Sequence, residues 1–280
     1  MLALQQRITK HKSINFNNMK KIYLTLMCAT GLLMLVACGS KGSDKENPEK
    51  ENAEAVEESS ETAEAEEAAA DADVWSDPAK VEELDLNALY ASGDFKTGTT
   101  VIFEDDQHKE TAGQIPSQWD VKSGTAEVGE AEGGKYISAS GGDCHLFPLV
   151  NNGSNAYLPE KFAAEFQFLF GKEAWYHVYL FDSEENEVAN ITFTPTLIEW
   201  NAAKTDDNWI HGDLDELDKV FSKTKWNHFG LTFDNGNLKI FLNGKRVTNL
   251  GNIKSCGHLM INCAESDGKS HFIKNIKISK

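Results

Sequence analysis

The chain has 280 residues, 40% of them hydrophobic, with 44 Asp and Glu against 27 Lys and Arg, a formal net charge of −17. That excess of acid excludes nucleic acid as a partner, because phosphate binding needs clustered cations. The length holds one domain with a sizeable core, but the charge is unevenly spread and the whole chain does not read as one globule.

Residues 1–18 precede Met19-Lys20-Lys21, which reads as the natural start. Lys20 and Lys21 lead into the apolar run Ile22–Ala37. Its sixteen residues fall short of the ~20 that a membrane-spanning helix needs. A charged n-region, an apolar stretch and small residues in that order predict a secretory signal over 1–37. The end of the run, Leu35-Val36-Ala37-Cys38-Gly39-Ser40, resembles the lipobox of bacterial lipoproteins. The resemblance implies cleavage before Cys38 and acylation of its thiol and new amino group with diacylglycerol and palmitate-like chains. Several acyl chains, at ~0.8 kcal/mol per buried CH₂, hold a soluble domain firmly on a bilayer. The expected location is therefore the outer membrane, on its periplasmic face or at the cell surface.

Residues 38–75 follow as a tether. Between 41 and 73 there are thirteen acids and three lysines and almost no large apolar side chains. Such a segment cannot offset its ordering entropy by burial, and its acids repel one another at helical spacing. The expectation is a disordered, extended linker. Acids soon after the lipidated cysteine also loosely resemble the surface-export signals of some Gram-negative lineages.

Residues 76–94 predict a short helix. Ser76 or Asp77 can cap it, Pro78 suits the first helical position, Gly93 suits the stop, and Val81, Leu84, Ala88 and Leu89 share a face. From about Thr99 onward the pattern is that of short strands. Phe166, Phe168 and Phe170 alternate on one face, and Tyr176 to Phe181 is read as apolar on both faces, as in a sandwich core. Asn235-Gly236 and Asn243-Gly244 flank the alternating run Leu238–Leu242, a strong hairpin signal. Strands at 259–263 and 272–278 complete an all-β sandwich over 95–280. Three cysteines remain in this domain. Cys144 pairs with Cys256 or with Cys263, or all three thiols are free and buried.

Several segments then resemble one family. They are Phe103-Glu104-Asp105-Asp106, Pro116-Ser117-Gln118-Trp119-Asp120, Tyr157-Leu158-Pro159, Trp226-Asn227-His228, Asn243-Gly244-Lys245 and the closing Phe272–Ile278. Together they resemble the concanavalin A-like, laminin-G-like domain that precedes the OmpA domain in some bacterial outer-membrane proteins. The resemblance implies a jelly roll whose first and last strands pair. Gln107-His108 depart from the pattern, and no OmpA segment follows within the sequence.

For chemistry, no nucleophile motif, phosphate loop or nucleotide fingerprint is present. Retaining glycosidases need two carboxylates ~5–5.5 Å apart; the strand with Glu165 has Gln167 and Leu169 where a partner acid would sit. His177 and His228 are read as core histidines, and Trp119, Trp175 and Trp226 as core indoles. Asp105 and Asp106 are the candidate calcium ligands. The expected glycan-contact loop is Trp200 to His211, with Trp200 and Trp209 stacking on sugar rings and Asp206, Asp207 and Asn208 bonding hydroxyls. The expected function is a non-catalytic domain that binds glycan or cell-envelope polymer. The alternatives are a glycoside hydrolase and a protein-binding accessory subunit of a surface complex.

Overall fold

The structure is a computed structural model that describes residues 77–170, 174–217, 220–265 and 271–280. The signal segment, Cys38, the acidic tether and Ser76 lie outside the described residues. Among the described residues, the helix α1 (Leu86–Ser92) precedes the strands β1 (Val101–Asp105), β2 (Trp119–Ala131), β3 (Gly134–Pro148), β4 (Lys161–Leu169), β5 (Ala174–Phe181), β6 (Glu187–Phe193) and β7 (Leu197–Ala203). They continue as β8 (Trp209–Asp215), β9 (Asn227–Asp234), β10 (Asn237–Leu242), β11 (Lys245–Leu250), β12 (His258–Glu265) and β13 (His271–Ser279).

The strands run in the order β11-β10-β9-β4-β13-β3-β12-β5-β6-β7-β8, with β1 on β13 and β2 on β3. Every strand pair is antiparallel. Pairing of β1 with β13 is the closure of first and last strands that the family resemblance implies.

This path folds into two layers because β3 belongs to both. Its residues 137–139 pair with β13, and its residues 143–146 pair with β12. The strand turns between layers at Gly141 and Gly142, which adopt φ of 94° and 90°. L-residues rarely reach such angles and glycine does so freely. Opposite them, β2 shifts register around Ser123, and a Cβ on Gly124 would lie 2.7 Å from the Cys144 Cα. The first layer holds β1, β13, β4, β9, β10 and β11; the second holds β12, β5, β6, β7 and β8.

Between the layers lies one aromatic-rich core. Phe166 and Phe168 of β4 and Phe229 of β9 meet Tyr176 of β5 and Phe193 of β6, with ring centroids 5.0–6.5 Å apart. This is the face that the Phe alternation predicts. The two Asn-Gly turns also form as expected, with φ of 47° and 83° at 235–236 and of 46° and 76° at 243–244. Positive φ at both central residues is the hairpin geometry that matches strand twist. The result is an all-β, jelly-roll-like sandwich.

Two expectations are corrected here and one open alternative is decided. The helix begins at Leu86, not near Pro78: its cap is Asp85, which accepts from the Ala88 N–H at 3.0 Å. Pro78 to Lys80 make a single turn, with the Lys80 N–H donating to the Asp77 carbonyl, and the chain is then drawn out at Glu82, whose N–H donates to Thr224 and whose carbonyl accepts from Trp226. Backbone groups committed to β9's approach cannot also close helical turns. Gly93 does end the helix, donating to the Leu89 carbonyl at 2.7 Å. Second, of the alternatives left open for the cysteines the free and buried one holds for Cys144, Cys256 and Cys263, although Cys144 and Cys263 are direct cross-strand partners. Third, the Tyr176–Phe181 segment is not apolar on both faces in its surroundings: Tyr176, Val178 and Leu180 enter the core, while the residues between them turn outward.

Candidate ligand-binding face

The residues expected to hold calcium are engaged otherwise. Asp105 is buried, and its Oδ2 accepts from the Trp119 indole N–H at 2.7 Å. Its Oδ1 accepts from the Gln107 N–H at 3.0 Å and the Gln118 amide at 3.1 Å. Both oxygens therefore face positive N–H dipoles, which complement a carboxylate and oppose a cation. Asp106 bonds His108 through that residue's N–H and ring. Among the described residues, no group of three or more His, Cys, Asp or Glu is placed to hold a metal.

Glu165 does not face a cleft either. It lies on the outer side of the first layer, buried beneath the segment 86–97. The Tyr90 hydroxyl donates to its Oε2 at 2.7 Å, and the His228 Nε2 lies 2.9 Å from the same oxygen. Burial pushes the carboxyl up, but hydrogen bonds from His228 and Tyr90 and the charge of His228 outweigh it and hold the group below the usual range. Tyr90 is pushed up by burial and by this carboxylate. Phe95 packs on the His228 ring at 5.0 Å and on Phe241 at 5.3 Å, closing the cluster from above. Farther along, Val81 and Leu84 cover Leu169, Trp226 and Phe272. Buried Lys274 meets Glu83 at 2.6 Å and lies 4.2 Å above the Trp226 ring.

The outer side of the second layer carries no such cover among the described residues. Residues directly opposite in antiparallel strands share a face, so the register assembles this surface. One row runs His145–Asn262–His177–Thr192–Glu199–Asp213 across β3, β12, β5, β6, β7 and β8. The next runs Met260–Tyr179–Asn190–Asn201–His211. Trp175, opposite Ala264, stands beside the first row. Phe181, opposite His258, and Trp209, opposite Ala203, stand beside the second.

The polar groups of this face are positioned by one another. Thr192 Oγ1 bonds the His177 Nδ1 at 2.8 Å and donates to the Asn190 Oδ1 at 3.3 Å. The His211 ring bonds the Asn201 Oδ1. Asn262 donates to Asp143 at 3.4 Å, and its buried Oδ1 has no partner. His177, Tyr179, Phe181 and His258 stack as plates, centroids 5.0–6.0 Å apart and interplanar angles of 16–21°. Their faces are thus spent on each other, and they show edges and polar tips outward. Two indoles stand exposed instead, Trp175 at 50% and Trp209 at 43%. Burial lowers the pKa of His177 and of His258, which keeps both imidazoles neutral near neutral pH, each able to donate and to accept.

The expected contact loop is split by this register. Trp209 and His211 belong to the open face. Trp200 points the other way, packs against the core and lies over Gly212, where a Cβ would come within 2.6 Å of the indole. Asp206, Asp207 and Asn208 form the β7–β8 hairpin turn. Asp206 accepts from the Asn208 N–H at 3.2 Å, and Asp207 pairs with Lys254 at 2.6 Å. Trp175, expected in the core, is among the most exposed large hydrophobic side chains. The signal for it is the alternation itself: Trp175, His177, Tyr179 and Phe181 fill the odd positions with rings, whereas Tyr176, Val178 and Leu180 fill the even, core-facing ones.

No family model and no curated protein matches the chain. Among solved structures it is similar to the binding domain of botulinum neurotoxin serotype D, at 11% identity and a TM-score of 0.44 over 64% of this chain and 47% of that one. It is also similar to a botulinum neurotoxin DC binding domain in complex with rat synaptotagmin II, at 14% identity and a TM-score of 0.45 over 64% and 48%. A type C neurotoxin structure whose cell entry depends on two ganglioside molecules gives 14% and 0.46 over the same shares. The chain spans about half the length of these structures.

Proposed function

We propose that this chain is a lipid-anchored outer-membrane protein that presents a non-catalytic, glycan-binding sandwich on an acidic tether. The observation that carries the binding reading is the uncovered second-layer face, where amide, hydroxyl and imidazole groups alternate with two exposed indoles. Sugars combine apolar ring faces with dense hydroxyls, and such a surface answers both. The anchor reading rests on Cys38 and its flanking residues.

A glycan array probed with the full chain tests binding, with saturable retention of an envelope polysaccharide as the expected result. Capture of envelope proteins with no glycan retained would replace this reading with the accessory-subunit one. Acyl labelling lost on Cys38→Ser tests the anchor.

One observation favours a second reading. Glu199 and Asp213 are direct cross-strand partners on the same face, a placement that brings two carboxylates to the ~5 Å range used in glycoside hydrolysis. Reducing-sugar release abolished by Glu199→Gln would convert the binding module into a hydrolase.

A further inference from the structure

The register of the second layer defines a diagonal. Trp175 on β5, Thr192 on β6, Asn201 on β7 and Trp209 on β8 each stand one strand over and one outward position along from the last. Outward positions repeat every two residues, ~6.7 Å, and strands lie ~4.8 Å apart, so the two indoles are ~25 Å apart along this line. Between them the diagonal meets only a hydroxyl and an amide. His177 and Asn190 border it on one side, and Glu199 and His211 on the other.

We propose that this diagonal binds a linear, uncharged polysaccharide lengthwise, its two ends stacked on Trp175 and Trp209 and its hydroxyls bonded by Thr192, Asn201 and the bordering groups. The proposal rests on the glycan-binding reading above and names the ligand class. An extended chain of pyranoses advances by roughly one strand spacing per ring, so ~25 Å takes about five rings.

Charge argues for an uncharged ligand. The face carries Asp143, Glu187, Glu199, Asp213 and Asp215, and Asp120 beside Lys122 at 3.9 Å. Lys122 itself is drawn over the Phe147 ring, 4.4 Å from its centroid and remote from the diagonal. Uronate or sulfate groups laid beside Glu199 would meet like charge, and β5 to β8 carry no lysine or arginine among the described residues to answer it. Neutral hydroxyls can instead donate to that carboxylate.

The test is titration calorimetry of the full chain with neutral hexaoses (cello-, laminari-, manno- and chitohexaose), with their shorter homologues, and with the hexamer of galacturonic acid. At least one neutral series is expected to gain affinity with each ring up to about five. Trp175→Ala and Trp209→Ala are each expected to weaken the hexamer about tenfold, with little effect on the dimer of that series, as loss of one stacking platform implies. Circular dichroism checks that the variants fold. A plateau at the disaccharide, unchanged hexaose affinity in both variants, or tighter binding of the galacturonate hexamer overturns the proposal while leaving glycan binding intact. No binding to any glycan overturns the proposal and the function it rests on together.

Discussion

The two outer faces of the sandwich are built from the same strand alternation and end in opposite states. On the first layer, Glu165, His228, Lys274 and Trp226 point away from the core and are buried again under residues 77–97. The hydrogen bonds of Glu165, His228 and Lys274 close on Tyr90, on Glu83 and on each other, and the Trp226 ring lies under the Lys274 cation. On the second layer, Trp175, Glu199, His211 and Asp213 point away from the core and remain exposed. Polarity on an outward strand position therefore does not mark a site by itself. A polar group whose partners are internal serves packing, and one whose valences are left to solvent can serve a ligand.

Stability should separate the faces first. Glu165→Ala leaves the His228 Nε2 and the Tyr90 hydroxyl buried without their acceptor, and breaking a buried pair of this kind costs about 3 kcal/mol. Urea denaturation is expected to show that loss, and a loss below ~1 kcal/mol would mean the cluster is hydrated. Lys274→Met, which removes the Glu83 pair and the cation over Trp226, is expected to cost about 1–2 kcal/mol. The matching changes on the open face, Trp175→Ala and Glu199→Gln, are expected to stay within about 0.5 kcal/mol.

Acid should separate them next, by pH window. The folded pKa values of His177 and His258 are depressed by burial. The unfolded chain thus binds protons first, and stability falls as pH drops through ~6.5 and levels off below the folded values. Asp143 beside His177 and Glu185 near His258 pull against burial and moderate this step. Glu165 is also depressed, so its contribution is present above ~4.3 and is lost as pH falls through its lower folded value. Urea midpoints against pH are expected to decline in two stages. His177→Asn should flatten the upper stage and Glu165→Gln the lower.

Much of this architecture was legible from local pattern. The Asn-Gly turns and the Phe alternation of β4 appear as expected, because turn chemistry and burial pointed to the same answer, while the pairing of first and last strands follows what the family resemblance implies. The long β2–β3 hairpin was not legible. Its crossing between layers depends on Gly124, Gly141 and Gly142 with few aliphatics between them, and glycine signals a turn as readily as a bend inside a strand. The helix starts late because Glu82 gives its backbone bonds to Thr224 and Trp226, in the segment leading into β9 and distant in sequence. The face itself was legible only in part. Trp209 is exposed, as a stacking residue must be, and Trp175, expected in the core, is exposed as well. The alternation puts Trp175 on one side of β5, and the packing of Tyr176, Val178 and Leu180 into the core leaves that side open.

The most direct test is mass-spectrometric footprinting of indole oxidation in the full chain, with and without a bound neutral oligosaccharide. The account predicts that Trp175 and Trp209 react readily in the free protein and are protected together by ligand, while buried Trp119 and Trp226 stay unreactive in both states. Saturable binding that leaves Trp175 and Trp209 as reactive as before would contradict the assignment of the second-layer face as the binding surface.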